Sequence, residues 1–180
     1  MTTLVLSVPL WDVLVISIKA NYLCRTQGGI HVYKTASADS VLGGGIAVLA
    51  QYGFKFTEGA GAGGYKTRYR LQNGKEVEER IDNFTARYSV GGDEITVLDK
   101  HFAKAVAKVV DTANGEVLSE LIHFSVYPGL FDRVLASALS SSISWNCGDE
   151  GPHGSAGRFS FNELVIKTLK PAVSGNGISQ

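Results

Sequence analysis

The stretch YKTRYRLQNGKEVEERIDNF, residues 65–84, constrains the fold more than any other part of the chain. Tyr65, Thr67, Tyr69 and Leu71 alternate with Lys66, Arg68, Arg70 and Gln72, the period of two that marks a strand with one buried face. Asn73-Gly74 then turns the chain back. A two-residue turn would set Leu71 opposite Glu76 and Tyr69 opposite Glu78, placing acids on the apolar face. A three-residue loop, Gln72-Asn73-Gly74, instead pairs Tyr69 with Val77, Tyr65 with Ile81, Arg70 with Glu76 and Arg68 with Glu78, and this is the register expected. Partners of opposite sign also make KTRYR a solvated strand face rather than a nucleic-acid patch.

Glycine punctuates the rest. The 21 glycines cluster at 43–45, 59–64, 91–92 and 148–157, loops between short elements. Strands are expected at Ile30 to Thr35, at Tyr52 to Glu58 with Tyr52, Phe54 and Phe56 on one face, at Phe84 to Val90 and at Ile95 to Leu98, with a turn at 91–93 between the last two. Residues 101–128 admit two periods, and the alternation of Leu118, Ile122, Phe124 and Val126 around the turn at Asp111 to Glu116 favours a long hairpin over a helix. Phe131, Val134, Leu135, Ala138 and Leu139 recur at helical spacing. Ser160 and Glu163 form a capping box ahead of LVIKTL, and Pro171 ends that helix. The fold class expected is α+β: a twisted antiparallel sheet of about six strands with an N-terminal hydrophobic helix and two short C-terminal helices packed on it.

The N-terminal run TTLVLSVPLWDVLVISI, residues 2–18, sits at the lower edge of what a bilayer span needs. Pro9 and Asp12 would be costly at mid-membrane, yet both suit a second helix beginning near Pro9, where proline fits a first turn and an acid faces the positive dipole end. Gly28 and Gly29 stop that helix. No Lys or Arg precedes Lys19, so a secretory signal is incomplete, while Lys19 and Arg25 after the run argue for a cytoplasmic body. The segment is thus either a membrane anchor or a buried helix of the domain. Residues 1–20 are assigned to it, 21–171 to a single α+β domain and 172–180 to a loose tail.

Seventeen basic residues balance seventeen acidic ones, so charge marks no nucleic-acid partner. The glycines of EGAGAGGYK, residues 58–66, match the dinucleotide spacing, but a strand rather than a helix follows, and without a helix N-terminus there is no phosphate cradle. His31, His101, His123 and His153 stand apart from any metal-binding spacing. The serines of SALSSSIS lack a nucleophile elbow. Asp93-Glu94 and Asp149-Glu150 read as turn acids. No catalytic, cofactor or metal residue is assigned, and no cofactor is expected. Cys24 and Cys147, the only cysteines, are compatible with a disulfide or with two buried thiols.

The order PLWD, YLCRTQGGIHVYKT, DTANGEVLSELIHFSVYPGLFDRVL, SWNC resembles a group of uncharacterised proteobacterial envelope proteins. There a hydrophobic leader precedes a Cys, a Gly-Gly-Ile or similar triplet and a Tyr-Lys-Thr, and a Gly-Glu hairpin and a Trp-x-Cys follow; this chain departs from the group in lacking a charged segment before the leader. The resemblance implies a body on the periplasmic side of the inner membrane and a Cys24 to Cys147 disulfide. It implies no activity. The expected role is a non-catalytic, membrane-attached binding or accessory subunit, touching lipid through the apolar N-terminus and a protein through its body. The alternatives are a small-ligand carrier or enzyme with an apolar pocket between the sheet and the helix at 130–139, and a cytosolic protein with two free thiols.

Overall fold

The computed structural model describes residues 3–61, 63–127, 145–147 and 161–171. Helix α1 spans Thr3–Thr26, and strands β1 Gly29–Val32, β2 Ala36–Ser37 and β3 Ser40–Leu42 follow. After the single turn of α2, Ile46–Leu49, come β4 Phe56–Ala60, β5 Lys66–Gln72, β6 Lys75–Arg80, β7 Tyr88–Asp99, β8 Phe102–Asp111 and β9 Val117–Val126. Strand β10 Trp145–Cys147, helix α3 Phe161–Thr168 and strand β11 Leu169–Lys170 complete the described elements. The expected helix at 131–139, Ser160 of the capping box and the tail at 172–180 lie outside the described residues.

The protein is α+β, with a nine-stranded sheet in the order β1-β9-β8-β7-β3-β4-β5-β6 and β10 beside β9; β2 and β11 form a separate parallel pair. Two expectations are corrected here. The sheet has more than about six strands, and it is mixed, because β3 runs parallel to both β4 and β7. Three-residue strands such as β3 and β10 are too short for alternation to register. A parallel partner needs a crossover of roughly a dozen residues, which α2 and its flanks supply between β3 and β4.

The hairpin β5–β6 also differs from the register expected. Leu71 pairs with Glu76, Tyr69 with Glu78, Arg70 with Val77 and Arg68 with Glu79. Asn73 (φ 52) and Gly74 (φ 74) both take left-handed angles, the two-residue turn that suits strand twist. Every residue of β6 is exposed, so no apolar face had to be matched and turn geometry set the register. Two further boundaries move. Tyr52 belongs to a 3-10 turn closed by Gly53 (φ 95), so the strand starts only at Phe56. The expected turn at 91–93 is the interior of one long strand, β7, with Gly91 and Gly92 at positive φ inside it. The hairpin over 102–126 forms as expected.

By internal packing the chain divides into two units, the first holding α1, residues 93–107 and 121–127 and β10, the second residues 32–92, 108–120 and 161–171. In the first, α1 is one continuous helix rather than starting afresh at Pro9. It ends where Gln27 and Gly28 both donate backbone N–H to the Leu23 carbonyl. Ile16, Ala20 and Leu23 recur at helical spacing and pack on Phe102, Val106, Ile122, Phe124 and Val126, each large side chain contributing about 1.5–3 kcal/mol. Among the described residues no helix is long and apolar enough to cross a membrane, and the transmembrane assignment is withdrawn: one face of α1 is spent on the protein's own sheet, and Lys19 is ion-paired on its flank.

In the second unit, Leu164, Val165 and Thr168 of α3 are buried. Thr168 Oγ1 donates to the Leu164 carbonyl at 2.6 Å, so Ser119 Oγ is the donor in its 2.5 Å contact with Thr168. Gly45, ahead of α2, donates its own N–H to Asn162 Oδ1 at 2.8 Å, the bond to the N-cap amide that the reciprocal half of a capping box supplies. Asn162→Ala is expected to cost about 1 kcal/mol, the usual value of a lost cap, read as a lower urea midpoint with unchanged slope.

Candidate interaction surface

Helix α1 has two apolar faces. At 3.6 residues per turn, Trp11, Leu14, Val15, Ile18 and Tyr22 form a stripe opposite Ile16, Ala20 and Leu23, and all five are exposed, Ile18 to 61%. In the same unit the second half of β7 is exposed on both faces, with Ile95 at 68%, Val97 at 74% and Leu98 also open. The two features meet at one ion pair. Lys19 Nζ lies 2.5 Å from Asp99 Oδ2 and 4.9 Å from the centre of the Phe102 ring. Val15 and Tyr22, one turn either side of Lys19, put the margin of the stripe beside the end of β7.

The Lys19 ammonium, helped by the backbone N–H of His101, holds the Asp99 carboxyl below its ordinary value against a small opposing effect of burial. His101 closes the β7–β8 turn: its Nδ1 lies 3.3 Å from the Tyr127 carbonyl and its backbone carbonyl accepts the Tyr127 N–H. Its Nε2 is buried without a hydrogen-bond partner among the described residues. The contacts of His101 thus fasten a turn.

Cys24 lies on α1 and is disulfide-bonded. Cys147 lies on β10 at the register position opposite Phe124, a residue in the same apolar cluster as Leu23. His31 is on β1, with Nε2 3.1 Å from the Gln27 carbonyl, and His123 is on β9. His153, Asp149, Glu150 and the serines of 137–144 lie outside the described residues. Asp93 and Glu94, expected in a turn, lie within β7. Among the described residues no group of three His, Cys, Asp or Glu side chains that could hold a metal ion occurs.

The glycine-rich stretch at 59–64 connects antiparallel strands, as its flanks required: Gly61 N–H donates to the Tyr65 carbonyl and β4 pairs with β5. Gly43 to Gly45 do precede a helix, α2, but its single turn lacks the aligned peptides that hold a phosphate.

Sequence reasoning missed Glu58. Its side chain is wholly buried, and five hydrogen bonds converge on it: Arg68 Nε and Nη2 and Thr85 Oγ1 donate to Oε1, and the N–H groups of Thr85 and Ala86 donate to Oε2. Burial pushes this carboxyl up, but the Ala86 amide, Arg68 and Thr85 outweigh it and the net direction is down. With both oxygens engaged, Glu58 clamps residues 85–86 to β4 and β5. The available signal was an acid two residues after Phe56, on the same face of the strand. Arg68 therefore pairs with Glu58 and Arg70 with Glu79, rather than with Glu78 and Glu76.

An open cleft of about 400 Å³ lies against the β5–β6 hairpin, lined by Arg70, Gln72, Val77, Glu78 and Glu79; charged and wide, it is unlike the apolar enclosure that holds a small molecule. The expected pocket against the helix at 130–139 falls outside the described residues. Comparison with protein-family models, curated proteins and solved structures finds no match for this chain. The surface of α1 and β7 is therefore read from its own chemistry. Its aromatic and branched side chains offer contact area.

Proposed function

We propose that the protein is a non-catalytic binding or structural subunit that works in an oxidising, periplasmic compartment and engages a protein partner through the exposed face of α1. The exposed stripe of Trp11, Ile18 and Tyr22 carries this reading, because a helix already seated on its own sheet keeps a second apolar face at a standing cost in water. Tyr and Trp are the residues that most often anchor protein contacts. The resemblance to envelope proteins and the disulfide at Cys24 support the compartment.

A photo-crosslinking amino acid at Ile18, introduced in the native host, is expected to give one adduct of defined mass. The same group at Lys75, exposed on β6, is expected to give none. Adducts of equal yield at both positions, or none at Ile18, would sink the proposal.

A further inference from the structure

We propose that residues 82–87 form a strap that closes over β4 and β5 only while Glu58 is ionised, and that opens in acid with both of its ends still pinned. The inference is independent of the binding reading above, because it concerns β4, β5 and the segment before β7 and no residue of α1.

Polar bonds, not apolar burial, hold this segment. It has no regular secondary structure; Asp82, Asn83, Phe84, Thr85 and Arg87 are exposed, and Ala86 is the one buried residue among them. A single methyl group gives little anchorage. The ends are fixed by groups that do not titrate. Before the strap the Ile81 N–H donates to the Lys66 carbonyl at 3.0 Å, and at its far end the Arg87 carbonyl accepts the Thr112 N–H at 2.8 Å and the Thr112 hydroxyl at 2.6 Å. Lys66 Nζ adds bonds to the Asp82 carbonyl at 2.8 Å and to Asn83 Oδ1 at 3.2 Å. The middle is held by Glu58. The Thr85 and Ala86 N–H groups donate to its Oε2 at 2.7 and 2.9 Å, and Thr85 Oγ1 donates to Oε1 at 2.8 Å while accepting from Arg68 Nη2 at 2.9 Å.

This arrangement has no place for a proton. A carboxylate only accepts, and each group bonded to Glu58 donates, three of the bonds falling on Oε1 and two on Oε2. A proton on either oxygen would point at a donor, so at least one bond is lost. Arg68, which keeps its charge at any ordinary pH, would then face a neutral group in a buried place. Arg68 is the charged group that faces the carboxylate from β5; the strap supplies amides and a hydroxyl, and β3 carries no ionisable side chain. Lys66 is engaged by Asp82 and Asn83, and Arg70 by Glu79. The Arg87–Asp111 pair stands at the pinned end, where the Thr112 bonds hold with or without charge. Opening returns Glu58 and Arg68 to water and relieves both costs. The closed carboxyl lies below its ordinary value, so the open form binds the proton more readily and acid favours it.

Amide hydrogen exchange is measured on the full chain from pH 7 downward, with rates referred to the intrinsic rate at each pH. Protection at Thr85 and Ala86 is expected to fall about tenfold per pH unit between the ordinary glutamate value and the folded-state one, the slope of a single proton, while β8 and β9 stay protected. Glu58→Gln should leave the strap open at pH 7 and abolish that slope. Thr85→Val, at an exposed position, keeps the carboxylate: its strap should be at least about tenfold less protected at pH 7, the effect of one lost bond to a charged group, with the acid slope intact. Should Glu58→Gln fail to fold, the wild-type slope and Thr85→Val decide. Loss of protection in the strap only together with β8 and β9, a wild-type slope in Glu58→Gln, or a Thr85→Val strap as protected as the wild type would each overturn the proposal.

Discussion

Glu58→Gln is expected to destabilise the protein by about 3–5 kcal/mol, the cost of breaking a buried ion pair by removing one partner. The glutamine keeps the shape but loses the charge facing Arg68, which is itself only 16% exposed. It also turns an amide group toward donors now served by two acceptor oxygens. Against a total stability of roughly 5–15 kcal/mol for a domain, a loss of this size should be plain in a urea titration at neutral pH. Arg70→Gln is the control. Its pair with Glu79 is half exposed on both sides, and such pairs contribute about 0–1 kcal/mol.

The same carboxylate fixes the sign of a pH effect. Its folded-state value lies below the ordinary glutamate value, so its contribution is present above roughly pH 4.3 and is lost as pH falls through the folded value. Asp99, Asp111 and Glu116 are lowered in the same direction, each first by its bond to Lys19, Arg87 or Lys34. Wild-type stability should therefore fall in acid. The difference between wild type and Glu58→Gln should shrink toward low pH; a difference that stays constant from pH 7 to pH 3 would show that the carboxylate is not the source.

The second large effect concerns Cys24. A bridge from Cys24 to Cys147, the pairing the resemblance implies, closes a loop of roughly 120 residues, worth about 4–5 kcal/mol in the chain-entropy treatment. Reduction, or Cys24→Ala with Cys147→Ala, should then lower the melting temperature by roughly 8–20 °C for a chain of this size. Protein taken from its native host and denatured without reductant should present no titratable thiol. Two thiols in that measurement would remove both the bridge and the oxidising compartment from the proposal.

How far the fold was legible depended on length of pattern. The ten-residue strands β8 and β9 carry enough alternation to outweigh the helix-favouring alanines of 102–107, and α3 forms over LVIKT as expected but ends at Thr168, before Pro171, because Leu169–Lys170 pair with β2. Strand β3 spans three residues, and its parallel pairing depends on partners remote in sequence. The β5–β6 register was misjudged by assuming that alternation always buries a face; on a wholly exposed strand Asn73-Gly74 decides. Glu58 was hidden because a lone acid in a strand reads as solvated until the donors at 68, 85 and 86 converge on it. The surface of α1 was legible as apolar, but the division into a buried and an exposed stripe needed the sheet beneath it.

The position of β3 has a kinetic consequence. The meander β4–β5–β6 closes through local turns, whereas Leu42 reaches Ser89 only after the intervening chain has been drawn together. Non-local closure of this kind carries its entropic cost before any contact repays it. The insertion of β3 between two strands is therefore expected to form later in refolding than the local hairpins.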